Sequence, residues 1–371
     1  MKVTVERAEL LKSLGHVHRV VERRNTIPIL ANVLLRAGNA KLSLKATDLD
    51  LEVIEPIAAE VGAGGATTVP AHMFYEIVRK LPDGSQVTIE AVGDRASLAI
   101  RAGRSRFSLQ TLPESDFPDL AAGDMTHRFT LPGGDAKKLI EKTQFAISTE
   151  ETRYYLNGIY LHHVDGKTPT LRAVATDGHR LAQFELPAPD GAAGMPGIIV
   201  PRKTVGELQR LIEDSAAELT IELSTNKIRF TMGEIVLTSK LIDGTFPDYG
   251  RVIPLGNDKL LTVDKADFEA AVDRVSTVSS ERGRAVKLSL AAGKLTLSVT
   301  NPDSGSATEE IEVDYDGDPL DIGFNSRYLL DIASQIGGEN AVLKLADPGS
   351  PTLIQDRDAE GALYVLMPMR V

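Results

Sequence analysis

The stretch KVTVERAELLKSLGHV (residues 2–17) changes period halfway along. Apolar and polar residues alternate as far as Glu6, the pattern of a half-buried strand, and then Leu10, Leu14 and Val17 fall on one helix face. The reading decides the fold because the stretch returns. RFTLPGGDAKKLIEKTQFAIS (128–148) and LTVDKADFEAAVDRVSTVSS (261–280) follow the same order of strand and amphipathic helix. Three strand-like blocks follow in step: KLSLKATD (41–48), TLRAVATD (170–177) and KLTLSVTN (294–301). Three blocks of strand, cap and helix come next: TTVPAHMFYEIVRKL (67–81), IIVPRKTVGELQRLI (198–212) and IGFNSRYLLDIASQI (322–336). FPD closes the first two units at 117–119 and 246–248.

The 371-residue chain therefore divides into three domains, 1–125, 126–253 and 254–371. Strands outnumber helices in each unit, and their short alternating runs suit antiparallel sheets with one wet face. The expected fold class is α+β, three tandem domains of two helices packed on antiparallel sheets.

The chain has no cysteine, which excludes disulfides, thiolate zinc sites and a cysteine nucleophile and fits the cytoplasm. No apolar run reaches membrane-spanning length, and the charged N-terminus is unlike a secretory signal. The net charge of −11 argues against coating nucleic acid by bulk attraction, but the charge is unevenly spread. Lys12, His16, Arg19 and Arg23 repeat on the side of the first helix opposite Leu10, Leu14, Val17 and Val21. In the second unit Lys137, Lys138 and Lys142 stand opposite Leu139, Ile140, Thr143 and Ile147. Later helices carry Arg79 and Lys80, then Arg202, Lys203 and Arg210, then Arg327, whereas DSGSATEEIEVDYDGD (303–318) holds seven acids and no base. Such faces are either simply solvated or make loose phosphate contacts without sequence preference. Nothing resembles a base-reading finger or an aromatic stacking platform, and Trp is absent.

Chemistry is weakly supported. GAGGAT (62–67) lacks the Gly-Lys-Ser/Thr ending of a phosphate loop and reads as a flexible turn. No HExxH pattern occurs, and His162 and His163 point to opposite strand faces, which argues against a metal site. In ATDGHRLAQFEL (175–186), Asp177 and His179 suggest a hydrolase, but no nucleophile accompanies them. A monomeric peptide-binding scaffold is the other alternative.

RYYLNGIYL (153–161), VATDGHRLA (174–182), FPDYGRVIP (246–254) and YVLMPMRV (364–371), with GRSRFSLQTLP (103–113) and IVPRK (199–203), resemble the bacterial DNA polymerase III beta-subunit family, the replicative sliding clamps. The resemblance runs from end to end. It implies a non-catalytic, ring-shaped, head-to-tail homodimer that encircles double-stranded DNA and confers processivity, with no cofactor, metal or membrane. Its implied partners are the replicative polymerase alpha subunit, the clamp loader, other DNA polymerases and repair proteins, each bound through a short hydrophobic motif. The implied pocket draws Leu156, Thr176, Gly178, His179, Arg180 and Leu181 from one region. Pro247, Arg251 and Val252 come from a second, and Val365, Leu366, Met367, Pro368, Met369 and Arg370 from the tail. Two Met around a Pro make an adaptable apolar wall, and His179 and Arg180 are expected as donors at its rim.

The same resemblance implies DNA contact by Arg24, by the helix positions Arg79, Lys80, Lys138, Lys142 and Arg202, and by Lys203, Asn325 and Tyr328. Phe107 and Leu109 are implied to pack against Thr277 and Val278 of the neighbouring chain, with Arg104 and Arg106 setting orientation. Three positions depart from the family pattern. Glu150 replaces a neutral polar residue that can approach DNA, Gly283 an aromatic of some members, and Pro351 a small hydroxyl residue beside the pocket.

Overall fold

The computed structural model describes every residue except 92–95, 121–122 and 280–283. Gly283 therefore lies outside the described residues. Among them are six α-helices: α1 (Arg7–Val17), α2 (Ala71–Lys80), α3 (Gly133–Glu141), α4 (Arg202–Leu211), α5 (Lys265–Ser276) and α6 (Ser326–Ala333). They fall two to a repeat, and each follows directly on a strand. The α1 face expected from the spacing is buried, with Leu10, Leu14 and Val17 fully so; Val21 is buried just beyond the helix end. Asp264 and Asn325 cap α5 and α6, their side chains accepting hydrogen bonds from the first-turn amides.

The stripe expected along the second unit runs off its helix. Helix α3 stops at Glu141, the Thr143 hydroxyl donates to the Leu139 carbonyl at 2.6 Å, and a 3₁₀ turn follows at Gln144–Ala146. A β-branched residue that bonds back to the preceding turn weakens the helix there. The GAGGAT segment is not a loop either. Strands Glu60–Ala63 and Gly65–Pro70 leave only Gly64 between them, and a Cβ there would stand 3.3 Å from the Ala37 carbonyl oxygen.

All strand pairings are antiparallel, and the chain forms two compact units. The first comprises Met1–Lys137, Pro189–Pro196 and Lys203–Leu241; the second comprises Lys138–Ala188, Gly197–Arg202 and Ile242–Val371. Each contains an eight-stranded sheet shared between two sequence repeats. In the first, strand Ile235–Lys240 pairs with Leu51–Ala58, matching Val236 to Ile54 and Leu237 to Val53. In the second, Arg180–Pro187 pairs with Ala362–Leu366, matching Leu181 to Val365 and Ala182 to Tyr364. Each junction removes one edge from each of the two four-stranded sets that it joins, which the sequence repeat alone does not reveal.

Inside the first unit, the basic face of α1 is answered by acids. His16 lies with Nδ1 2.8 Å from a Glu55 carboxylate oxygen and Nε2 3.1 Å from one of Glu213, and Lys12 pairs with Glu213 at 2.7 Å. Burial opposes a charge on His16, but hydrogen bonds and attraction from Glu55 and Glu213 outweigh it and hold its pKa above the ordinary value. A raised histidine pKa stabilises the fold below the unfolded value near 6.5, and that stabilisation disappears as pH rises through the folded pKa. His16→Gln is accordingly expected to lower the melting midpoint more at pH 6 than at pH 8. Calorimetry at the two pH values reads that difference directly as a larger drop in the midpoint at pH 6. Equal losses at both pH values would mean that folding does not raise the pKa of this imidazole.

Candidate partner groove

The ATDGHRL stretch is a turn whose acid is spent on the backbone. Asp177 Oδ1 accepts from the amides of His179 (2.9 Å) and Arg180 (3.0 Å). The Thr176 hydroxyl donates to the Arg180 carbonyl at 2.7 Å and accepts from the Gly178 amide at 3.1 Å. Gly178 has φ +86°, and a Cβ there would meet the Arg153 guanidinium at 2.6 Å. This arrangement presents the His179 ring outward and leaves Asp177 no role as a catalytic partner.

The chain end lies alongside. The Met367 amide donates to the His179 carbonyl at 3.0 Å, and the Met369 amide to the Gly323 carbonyl at 2.7 Å. Gly323 has no room for a Cβ, which would stand 2.3 Å from a Val371 methyl. The tail is thereby pinned on both sides around a cavity of about 330 Å³ lined by His179, Asn325, Tyr328, Met367, Pro368 and Met369. Next along the same sheet, Leu156, Val174, Leu181, Ile199, Phe246 and Val365 form a buried apolar cluster. Tyr155, Tyr249 and Ile253 pack against it, and the 3₁₀ turn Tyr249–Val252 follows Pro247 with Val252 47% exposed.

Several expectations change. Arg180 is no rim donor: its side chain is only 9% exposed. Its guanidinium donates to Asp331 (2.5 Å), Asp177 (3.2 Å) and the Phe145 carbonyl (2.8 Å) and lies over the Tyr328 ring at 4.2 Å. It holds Tyr328, and with it α6, against the turn. Asn325 and Tyr328, implied as DNA contacts, line the cavity with His179, and Asn325 also caps α6. Leu366 is fully buried in the sheet beneath the tail, while Arg251 is exposed and paired with Asp248 at 2.8 Å, and Arg370 is exposed.

The cationic positions separate into two groups. Arg24, Lys80, Lys138 and Arg202 are exposed, and Arg79, also exposed, pairs with Glu76 at 2.7 Å. Lys203 is instead half-buried, donating to Glu22, to Asp48 at 2.6 Å and to the Val20 carbonyl at 2.9 Å. Burial lowers its pKa, yet hydrogen bonds to Asp48 and Glu22 raise it overall. Lys142 is partly buried against the Gln335 carbonyl and Lys265 donates to that of Ile336 at 2.8 Å, so both hold the turn that follows α6. Burial lowers the Lys142 pKa. Glu150 forms a two-pronged pair with Arg153 at 2.7 and 2.8 Å, and the Pro351 carbonyl accepts from Asn257 at 2.8 Å.

Strands Ser105–Gln110 and Gly305–Glu312 each end a sheet. Beside the first, Met73 (54% exposed) and Phe107 (36%), with Ile77, Lys80, Leu81 and Ser105, surround a depression of about 350 Å³. Leu109 points inward and is buried; Arg104, Arg106 and Thr277 are exposed, and the Val278 carbonyl accepts from Asn301 at 3.0 Å. Met73 and Ile77 escaped the sequence reading. Their signal was an apolar pair four apart on α2, beside the buried Phe74 and Val78 and wider than a core face needs.

Among the described residues no group of three or more His, Asp or Glu could hold a metal ion. Compared with known proteins, residues 1–121, 130–248 and 250–370 match, in order, the N-terminal, central and C-terminal domains of the DNA polymerase III beta subunit. The beta sliding clamp of Caulobacter vibrioides is 56% identical over 372 residues, and that of Escherichia coli K12 is 41% identical over 374, both covering each chain fully. A Bartonella birtlesii sliding clamp bound to griselimycin superposes with a TM-score of 0.98 at 56% identity over the whole of both chains. A Pseudomonas aeruginosa clamp, also bound to griselimycin, gives 0.95 at 42%, again over both whole chains. With three consecutive domain matches laid over three internal repeats, the chain belongs to the DNA polymerase III beta-subunit family of sliding clamps.

Proposed function

We infer that the chain works as a DNA sliding clamp, a ring-shaped dimer that encircles DNA and tethers a polymerase through hydrophobic motifs. It is a non-catalytic processivity factor in DNA replication. The match of all three family domains, in order and over the full chain, carries the reading. The repeat borders fall near residues 125 and 253, and the turn at Asp177–His179 receives partner peptides, with the apolar cluster and the Met367–Met369 tail as its walls. The partners are the replicative polymerase alpha subunit, the clamp loader, other DNA polymerases and repair proteins. No helix among the described residues is long and apolar enough to cross a membrane, and the assignment is to the cytoplasm.

Exposed cations at Arg24, Arg79, Lys80, Lys138 and Arg202 face the duplex through diffuse contacts that permit sliding. Lys203 serves them indirectly by anchoring the arm that carries Arg23 and Arg24. Phe107, with Met73 and Ile77, packs on Thr277 and Val278 of a second chain, and the two bare strand edges meet there. Arg104 and Arg106 on one side complement Glu309, Glu310 and Glu312 on the other.

The test is topological. A chain of 40.0 kDa is expected to sediment as a dimer and, once loaded on nicked circular DNA, to stay bound until the circle is cut. Phe107→Asp buries a charge at the joint, is expected to weaken the dimer by at least ~100-fold, and abolishes retention. Retention that survives linearisation would refute encirclement.

A further inference from the structure

One side of the proposed groove, Pro247 to Val252, stands on a stack of rings. Tyr160 lies parallel to Phe246 within 7° at 4.8 Å and stacks on His162 at 4.6 Å. Tyr249 meets all three at an angle, 59° to His162 and 67° to Tyr160 and Phe246. Its hydroxyl ends a directed chain of hydrogen bonds. Glu185 accepts from Arg172 Nε and Nη2, both at 2.7 Å, and from the Thr170 hydroxyl at 3.1 Å. Arg172 Nη1 donates to the Tyr249 oxygen at 3.0 Å, and that oxygen lies 2.8 Å from His162 Nε2. His162 Nδ1 is 3.3 Å from the His163 carbonyl, which can only accept. The Nδ1 atom therefore carries the proton, and Nε2 accepts from Tyr249.

We propose that Arg172 and His162 are positioning residues of the partner groove: acting through the Tyr249 hydroxyl, they set where the Pro247–Val252 wall stands and hence how tightly a hydrophobic peptide is held. The proposal rests on the groove reading given above. A proton added to His162 must go on Nε2, where it confronts a hydroxyl already donating there. Tyr249 then has two cationic donors aimed at one oxygen, and its own proton loses its acceptor. The groups facing His162 are Arg172 on the adjoining strand, Glu185 on the strand beyond it, Tyr160 and His163 on its own strand, and Tyr249 on the turn. Burial, aided by Arg172 and His163, keeps the imidazole below its ordinary pKa against the pull of the His163 carbonyl and Glu185. The wall is thus locked at neutral pH and released in acid.

The probe is a fluorescein-labelled hydrophobic peptide, Gln-Leu-Ser-Leu-Phe, titrated by anisotropy with the full-length dimer between pH 7.5 and 5. Tyr249→Phe keeps the ring and deletes the hydroxyl; affinity at pH 7.5 is expected to fall about three- to tenfold. His162→Gln offers Tyr249 a carbonyl acceptor that does not titrate, so affinity at pH 7.5 is expected to fall less than in Tyr249→Phe and the acid-induced loss to shrink. Because every other histidine of the parent is kept in each variant, the quantity read is the part of the acid-induced loss that His162→Gln removes. A Tyr249→Phe protein that binds like the parent across the range, or a His162→Gln protein with the parent's pH profile, overturns the proposal. A parent that fails to bind, or a chain ending at Leu366 that binds equally well, refutes the groove itself and the proposal with it.

Discussion

Arg180→Ala is expected to lower the melting midpoint of the chain by roughly 6–12 °C and to weaken peptide binding at the same time. The guanidinium serves Asp331, Asp177 and the Phe145 carbonyl while stacking on Tyr328, and alanine removes that contact from each of them. Removing one member of a buried ionic network costs about 3–5 kcal/mol; Asp331 is a third exposed, so the lower end applies, and each kcal/mol shifts a unit of this size by about 2–4 °C. Arg180→Lys should recover little, because an ammonium can neither fork between two carboxylates nor stack flat on a ring. Calorimetry and peptide anisotropy on the same samples check both halves. A loss below about 1 kcal/mol would mean that solvent already screens the cage.

Removing Met367–Val371 should abolish peptide binding, by at least ~100-fold, while the dimer mass stays unchanged. The tail provides three of the six residues lining the cavity beside His179. Two methionine walls covering about 100 Å² each account for several kcal/mol before ordering costs. Gly323→Val provides a milder version with the tail still present. Its added carbons collide with the Met369 carbonyl and the Val371 side chain, so the tail must lift and affinity should drop about tenfold. Anisotropy measures the binding, and sedimentation confirms that the joint near Phe107 is intact. Undiminished binding by the truncated chain would move partner recognition elsewhere.

The three repeats were legible because strand and helix periods are local, and Leu10, Leu14 and Val17 are buried where their spacing puts them. The Asp177 turn was also within reach: Asp-Gly after a threonine is turn chemistry, and only the adjacent histidine suggested catalysis. Lys203 was not. Its partners Glu22 and Asp48 lie 181 and 155 residues away in the chain, and no local pattern marks such a pairing. Asn325 and Tyr328 were read with the cations, whereas their place beside His179 depends on the Gly323–Met369 bridge that sets the tail. Met73 and Ile77 carry a weaker signal, since core packing explains an apolar helix face equally well.

The sheets shared between repeats have a consequence for anyone recombining this chain with a relative. A cut near residue 125 or 253 follows the sequence period yet severs no unit cleanly. An excised central repeat would carry Ile235–Lys240 and Arg180–Pro187 with their partner strands gone, two bare templates for intermolecular β-pairing. Chimeras should therefore exchange matched rows, such as Val236 with Ile54 or Leu181 with Val365, as co-inherited sets. The heritable building block of this protein is the seam between repeats.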